Sequence, residues 1–111
     1  MVNDMDTAIA IDPVLVRFRG ALLELYGPAL DRVVLFGSRA RGDATPESDY
    51  DVAVFLKGVD NLMPEFNRLA DLRVQFLDRE GTFFQAIPFR ASAYGEPTPI
   101  MHEIRRDGLM L

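Results

Sequence analysis

Val33-Val34-Leu35-Phe36-Gly37-Ser38-Arg39-Ala40-Arg41-Gly42, followed by Ser48-Asp49-Tyr50-Asp51-Val52-Ala53-Val54, is the stretch that decides the fold. It consists of a Gly-Ser pair, ten intervening residues and an Asp-x-Asp, with apolar runs before and after. A Gly-Ser turn offers backbone N–H groups and a hydroxyl to a phosphate. Two aspartates two apart on a strand point to one face and can share a divalent cation. Phosphate donors and a metal-binding carboxylate pair are the main parts of phosphoryl or nucleotidyl transfer. At average composition the four fixed positions coincide about once in 10⁵ starts, so the combination carries far more information than either half.

The rest of the chain bounds the answer. It has 111 residues, a length that supports one small domain over residues 1–111 with a modest core. Hydrophobic residues make up 49% and eight are Phe, which predicts an ordered globule. With no Cys there is no disulfide framework and no thiolate metal site. No signal pattern or long apolar run is evident, so a soluble, cytoplasmic protein without membrane attachment is expected. A net charge of −5 argues against direct nucleic-acid binding. A small phosphate-bearing ligand stays compatible, because Arg39 and Arg41 make the Gly-Ser turn locally basic.

Working outward from the motif, Asp12-Pro13 reads as a helix start, and Leu15, Phe18, Leu22 and Tyr26 recur at helical spacing until Gly27-Pro28. Residues 32–36 predict a central strand covered on both faces. Ser38 to Arg41 fits one helical turn whose first N–H groups face an anion. A loop over 42–48 leads to a second strand over 50–56. Residues 61–80 predict a helix with Leu62, Phe66, Leu69, Leu72 and Phe76 buried and Glu65, Arg68, Asp71, Gln75 and Arg79 solvated. Thr82 to Ile87 predicts a third strand, which Pro88 either ends or marks as an edge. Pro99 to Asp107 predicts a last helix, closed by Gly108. The order gives an α/β fold, a small mixed sheet packed with helices.

At these residues, with a core motif over 32–56, the chain resembles the nucleotidyltransferase superfamily related to DNA polymerase β. Within it, the likeness is to the minimal nucleotidyltransferases, the MNT antitoxins that pair with HEPN toxins in toxin–antitoxin operons. The resemblance implies a polymerase β-like fold. It also implies that Gly37 and Ser38 contact a nucleotide triphosphate and that Asp49 and Asp51 hold Mg²⁺. Asp49, Asp51 and Ser38 would then be the catalytic set, with Arg39 and Arg41 as further nucleotide ligands. The implied activity is transfer of AMP from ATP to a hydroxyl, a tyrosine by resemblance, on a HEPN toxin. Larger relatives hold the acceptor in a second domain; here it is expected to arrive on a partner protein, in a hetero- or homo-oligomer.

One part of the family pattern is missing. A full site has a third carboxylate on a later strand, and Thr82-Phe83-Phe84-Gln85-Ala86-Ile87 has no acid. Gln85 is the nearest polar residue, and an amide is a poor base and a weak Mg²⁺ ligand. The sequence therefore leaves three functions open: an adenylyltransferase antitoxin, a catalytically weak one that neutralises its partner by binding, and, least favoured, a free-standing enzyme acting on a small molecule. Several residues also carry simpler readings. Asp49 and Asp51 would serve as strand-entry caps, Ser38 as a helix cap, and Arg39 and Arg41 as solvated arginines. Asp43, Glu47 and His102 read as surface residues.

Overall fold

The computed structural model describes residues 12–111. Asp12 starts the first helix, α1 (Pro13–Tyr26), by accepting from the N–H groups of Val14 and Leu15 at 3.2 and 3.5 Å. A 3-10 turn at Gly27–Ala29 then leads into β1 (Leu30–Phe36). After Gly37 comes the single turn α2 (Ser38–Arg41), then a loop to β2 (Tyr50–Leu56). The long helix α3 (Met63–Glu80) crosses back to β3 (Phe84–Arg90). A second 3-10 segment, Ala91–Gly95, precedes α4 (Pro99–Asp107) and the two-residue β4 (Leu109–Met110).

The sheet order is β3-β2-β1-β4. A short loop joins β1 and β2, which run antiparallel, whereas the α3 crossover makes β2 and β3 parallel. Alternation along the strands builds two cores. Tyr50, Val52, Val54 and Leu56 pack with Val33, Leu35, Phe84 and Ala86 under α1 and α3. On the other face Val34, Phe36, Ala53 and Phe55 pack with Met101 and Ile104 of α4. The expected two-sided burial of β1 is therefore observed.

Gly108 is required where α4 turns into β4: a Cβ there would lie 2.2 Å from the Ile104 carbonyl oxygen and 2.5 Å from Val34 Cγ1. β4 itself, too short for a periodic pattern, was not foreseen. β3 starts and ends later than expected, running through Pro88 because it is an edge strand and needs a donor on one side only.

The burial expected along α3 needs correction at two neighbours. Glu65 is buried, with its carboxylate accepting from Arg68 Nη1 at 3.3 Å, whereas Phe66 is 45% exposed. The buried residues Glu65, Leu69 and Leu72, with Phe76 packed against them, follow a 4-3-4 spacing. Phe66, one step or about 100° round from Glu65, falls off that stripe. An acid in the first helical turn is also favoured by the helix dipole, which offsets part of the cost of burying Glu65.

No helix among the described residues is long and apolar enough to cross a membrane. The first core centres on Phe18, fully buried and stacked on Phe84 with ring centroids 3.9 Å apart, with Phe76 edge-on at 5.0 Å. Phe18→Ala should cost about 3–5 kcal/mol, because it removes both the burial and the aromatic contacts and leaves a cavity. Chemical denaturation measures this directly. A loss below about 1 kcal/mol would mean that this ring cluster does not anchor α1 and α3 to the sheet.

Candidate active site

The candidate site lies where β1 ends and β2 begins. The antiparallel register sets Phe36 opposite Asp51, so the residue after Phe36 passes directly beside the Asp51 side chain. That residue is Gly37, at φ 72° and ψ −156°. A Cβ on it would stand 2.3 Å from Asp51 Oδ2. Two constraints thus require glycine: a positive φ, and a backbone lying on a carboxylate. The turn that follows closes on itself through bonds from the Ala40 and Arg41 N–H groups to the Gly37 carbonyl. Those bonds begin at Ala40, which leaves the N–H groups of Ser38 and Arg39 outside the turn's own ladder.

Asp51 is half-buried on the sheet face that α4 covers, since its strand neighbour Ala53 packs with Met101 and Ile104. Burial raises its pKa above the usual carboxylate value. The charges of Asp49 and Glu103 push the same way, and Arg41 opposes them. Asp49, also half-buried, sits just before β2. The parallel register places Gln85 opposite Asp51, on the same face of the sheet. Gln85 is exposed. Among the described residues no group of three or more His, Cys, Asp or Glu is placed to hold a metal ion together.

The two arginines of the motif do different things. Arg39 donates to the Ser48 carbonyl from Nε at 3.1 Å and from Nη2 at 2.9 Å, with longer bonds to the Thr45 and Pro46 carbonyls. Its guanidinium lies 4.2 Å from the centre of the Tyr50 ring, and the Tyr50 hydroxyl donates to Asp12 Oδ2 at 2.9 Å. Arg39 therefore fastens the loop on both sides of Asp49, and most of its donors are occupied in doing so. Ser48 adds to this by accepting from the Thr45 N–H through its hydroxyl at 2.9 Å.

Arg41 instead reaches across to α4. It pairs with Glu103 at 3.2 Å and with Asp43 at 3.3 Å, and it remains partly exposed. The structure thus brings Gly37, Ser38 and Asp51 together, sets Asp49 beside them, commits Arg39 to the loop and pairs Arg41 with acids. Glu103 is the neighbour that sequence reasoning missed. It flanks the buried Met101 and Ile104 on an amphipathic helix, a pattern that marks the buried side but not what its border residues face. Glu47 and His102 are exposed, as expected, and Asp43 is exposed but paired.

Comparison with known proteins places this geometry in a family. The sequence pattern of the nucleotidyltransferase domain matches residues 15–86, from within α1 to the first residues of β3. Two proteins of Methanocaldococcus jannaschii, both named as putative protein adenylyltransferases, are similar in sequence. One is 41% identical over 49 residues, covering 44% of this chain and 50% of the relative. The other is 37% identical over 70 residues, covering 63% and 64%. The chain thus spans about half of the first relative's length and somewhat less than two thirds of the second's. Among solved structures, a toxin–antitoxin bound to AMP-PNP superposes with a TM-score of 0.58 at 20% identity, over 85% of this chain and 69% of that one. A putative nucleotidyltransferase from Sulfolobus solfataricus gives 0.54 at 23% identity, over 85% and 72%. These likenesses show a shared polymerase β-like α/β fold. The Gly-Ser turn lying on the Asp51 carboxylate belongs to that fold's matched region, and the chain belongs to the nucleotidyltransferase domain family.

Proposed function

We propose that this chain is a minimal nucleotidyltransferase that moves AMP from ATP to a hydroxyl, of the tyrosine class, on a HEPN-type toxin partner, and so acts as a cytoplasmic antitoxin. The observation that carries this reading is the close approach of Gly37 to Asp51. A carboxylate that burial and a neighbouring acid make costly to ionise, set against the backbone of the Gly-Ser turn, would suit a divalent cation beside a phosphate. The names of the sequence relatives support protein adenylylation, and the AMP-PNP-bound toxin–antitoxin supports a nucleotide and a toxin as partners.

The residues present fit a hard divalent cation such as Mg²⁺. Asp49 and Asp51 supply oxygen donors, and a bound cation would relieve the crowding that raises the Asp51 pKa. When bound, such an ion neutralises charge on the triphosphate and on the departing pyrophosphate. The chain's own residues do the rest. The Ser38 and Arg39 N–H groups and the Ser38 hydroxyl hold phosphate oxygens, while the Arg39 clamp keeps Asp49 in place beside Asp51. Positioning and charge stabilisation of this kind supply most of phosphoryl-transfer catalysis.

A second reading, a binding antitoxin without transfer, is favoured by one specific observation: Gln85, not an acid, stands opposite Asp51. The two readings separate by mass. After incubation with Mg²⁺-ATP, a partner co-expressed from the adjacent reading frame should gain increments of about 329 Da, one AMP each with pyrophosphate expelled. It should also stay inactive after the antitoxin is removed. An unchanged mass, with activity returning on separation, would replace transfer with binding.

Metal dependence is tested by calorimetry. ATP should bind only with Mg²⁺ or Mn²⁺ present, and an Asp49→Ala, Asp51→Ala double variant should lose that binding while staying folded. Equal affinity in the double variant would remove these aspartates from the site.

The raised pKa of Asp51 makes a further prediction, for protein free of metal. A carboxyl whose folded pKa exceeds its unfolded value of about 3.9 costs stability when ionised, and the cost disappears as pH falls through the folded value. Asp51→Asn should therefore raise the melting temperature at pH 7, and the gain should shrink steadily on acidification towards pH 4. A gain that is absent at pH 7, or that grows on acidification, would contradict the crowded-carboxylate description.

A further inference from the structure

The nucleotidyl-transfer reading leaves one chemical role unassigned. Asp49 and Asp51 are taken up by the cation, and Gln85 cannot accept a proton. Yet the attacking hydroxyl must lose its proton as the new bond to phosphorus forms. Of the two acids that α4 carries, Asp107 pairs with Arg106 at 2.9 Å, and Glu103 is the one that reaches the turn of the motif, through Arg41. Thr98 caps this helix by accepting from the Met101 N–H at 3.3 Å, and Met101 and Ile104 fix its rotation by packing against Phe36 and Ala53, which flank the site. Glu103 lies between those two anchors and is left half-exposed, facing the α2 turn, where Arg41 Nη1 donates to it at 3.2 Å.

We propose that Glu103 is the proton acceptor of the transfer reaction, masked by Arg41 until a nucleotide draws that arginine onto its phosphates. The role rests on the transfer reading above. It is that of a base and not of a further metal ligand, because Glu103 does not form a three-acid cluster with the two aspartates. In the step, the acceptor hydroxyl oxygen bonds to the α-phosphorus of ATP. The bond from that phosphorus to the oxygen bridging to the β-phosphate breaks, its electron pair leaves on pyrophosphate, and the hydroxyl proton passes to the Glu103 carboxylate. Arg41 suits the masking role because it is only partly buried and is held by two exposed or half-exposed acids, contacts weak enough for a triphosphate to outbid.

The test uses the full chain, Mg²⁺-ATP and the same co-expressed partner, with transfer rate and ATP affinity measured separately. Glu103→Gln keeps the shape and removes the base. Its transfer rate at saturating ATP should fall by roughly 10²–10⁴, the usual worth of a positioned base, with ATP binding no weaker than in the wild type. Glu103→Asp, which keeps a carboxylate at shorter reach, should fall between the two and guards against a fold defect in the glutamine variant. Wild-type transfer by Glu103→Gln overturns this role and leaves the transfer reading intact. A parallel loss of ATP affinity and rate in both variants also overturns it, since Glu103 would then build the nucleotide site. A wild-type chain that binds Mg²⁺-ATP but transfers nothing overturns both.

Discussion

The arrangement of this chain depends on one contact, the Gly37 backbone resting on the Asp51 carboxylate. It is possible because the β1–β2 register pairs Phe36 with Asp51 and because glycine alone tolerates both the positive φ and a site where a Cβ would stand 2.3 Å from Asp51 Oδ2. Moving the register by one residue would turn Asp51 into the α1–α3 core and bring Val52 under the turn. The apolar pattern of β2 and the position of the acid are therefore a single constraint. The hydrophobic core, in keeping Val52 and Val54 inward, also aims Asp51 at the Gly-Ser turn.

The loop between the two halves of the motif is held by charge and not by a core. Arg39 gathers the carbonyls of Thr45, Pro46 and Ser48 and covers the Tyr50 ring. Tyr50 in turn donates to Asp12 at the start of α1. A chain of polar contacts thus ties the first helix to the loop that carries Asp49. This gives Arg39 work that the Gly-Ser-Arg sequence does not reveal, because an arginine beside a phosphate-binding turn reads most directly as a phosphate ligand. Arg41, two residues on, has a similar sequence setting and a different partner.

Most of the fold was legible because it is periodic. The α1 stripe of Leu15, Phe18 and Leu22, the two-sided β1 and the Asp-x-Asp strand all follow from spacing. What spacing could not convey was the rotation of α3, where Glu65 and Phe66 exchange their expected places. The first turn, Met63-Pro64-Glu65-Phe66, holds one acid among apolar residues, so an apolar pattern assigns the buried place to Phe66. In the candidate site, Gly37, Ser38, Asp49 and Asp51 were legible as a local motif. Glu103, about fifty residues further along, was not, because only the packing of α4 against Phe36 and Ala53 brings it near.

Pro88 has a consequence beyond the end of its strand. It sits in the middle of β3, the outer strand on the side of the sheet away from β4. An edge of this kind is a template for a further strand from another chain, but Pro88 offers it no N–H, its ring being buried in the packing of the sheet. The opposite edge is a strand of two residues, with little length to pair. Among the described residues, neither edge of the sheet therefore offers a long unbroken row of backbone donors. Contact with a second protein then falls mainly to side chains, which surface substitution can change while the sheet beneath stays untouched.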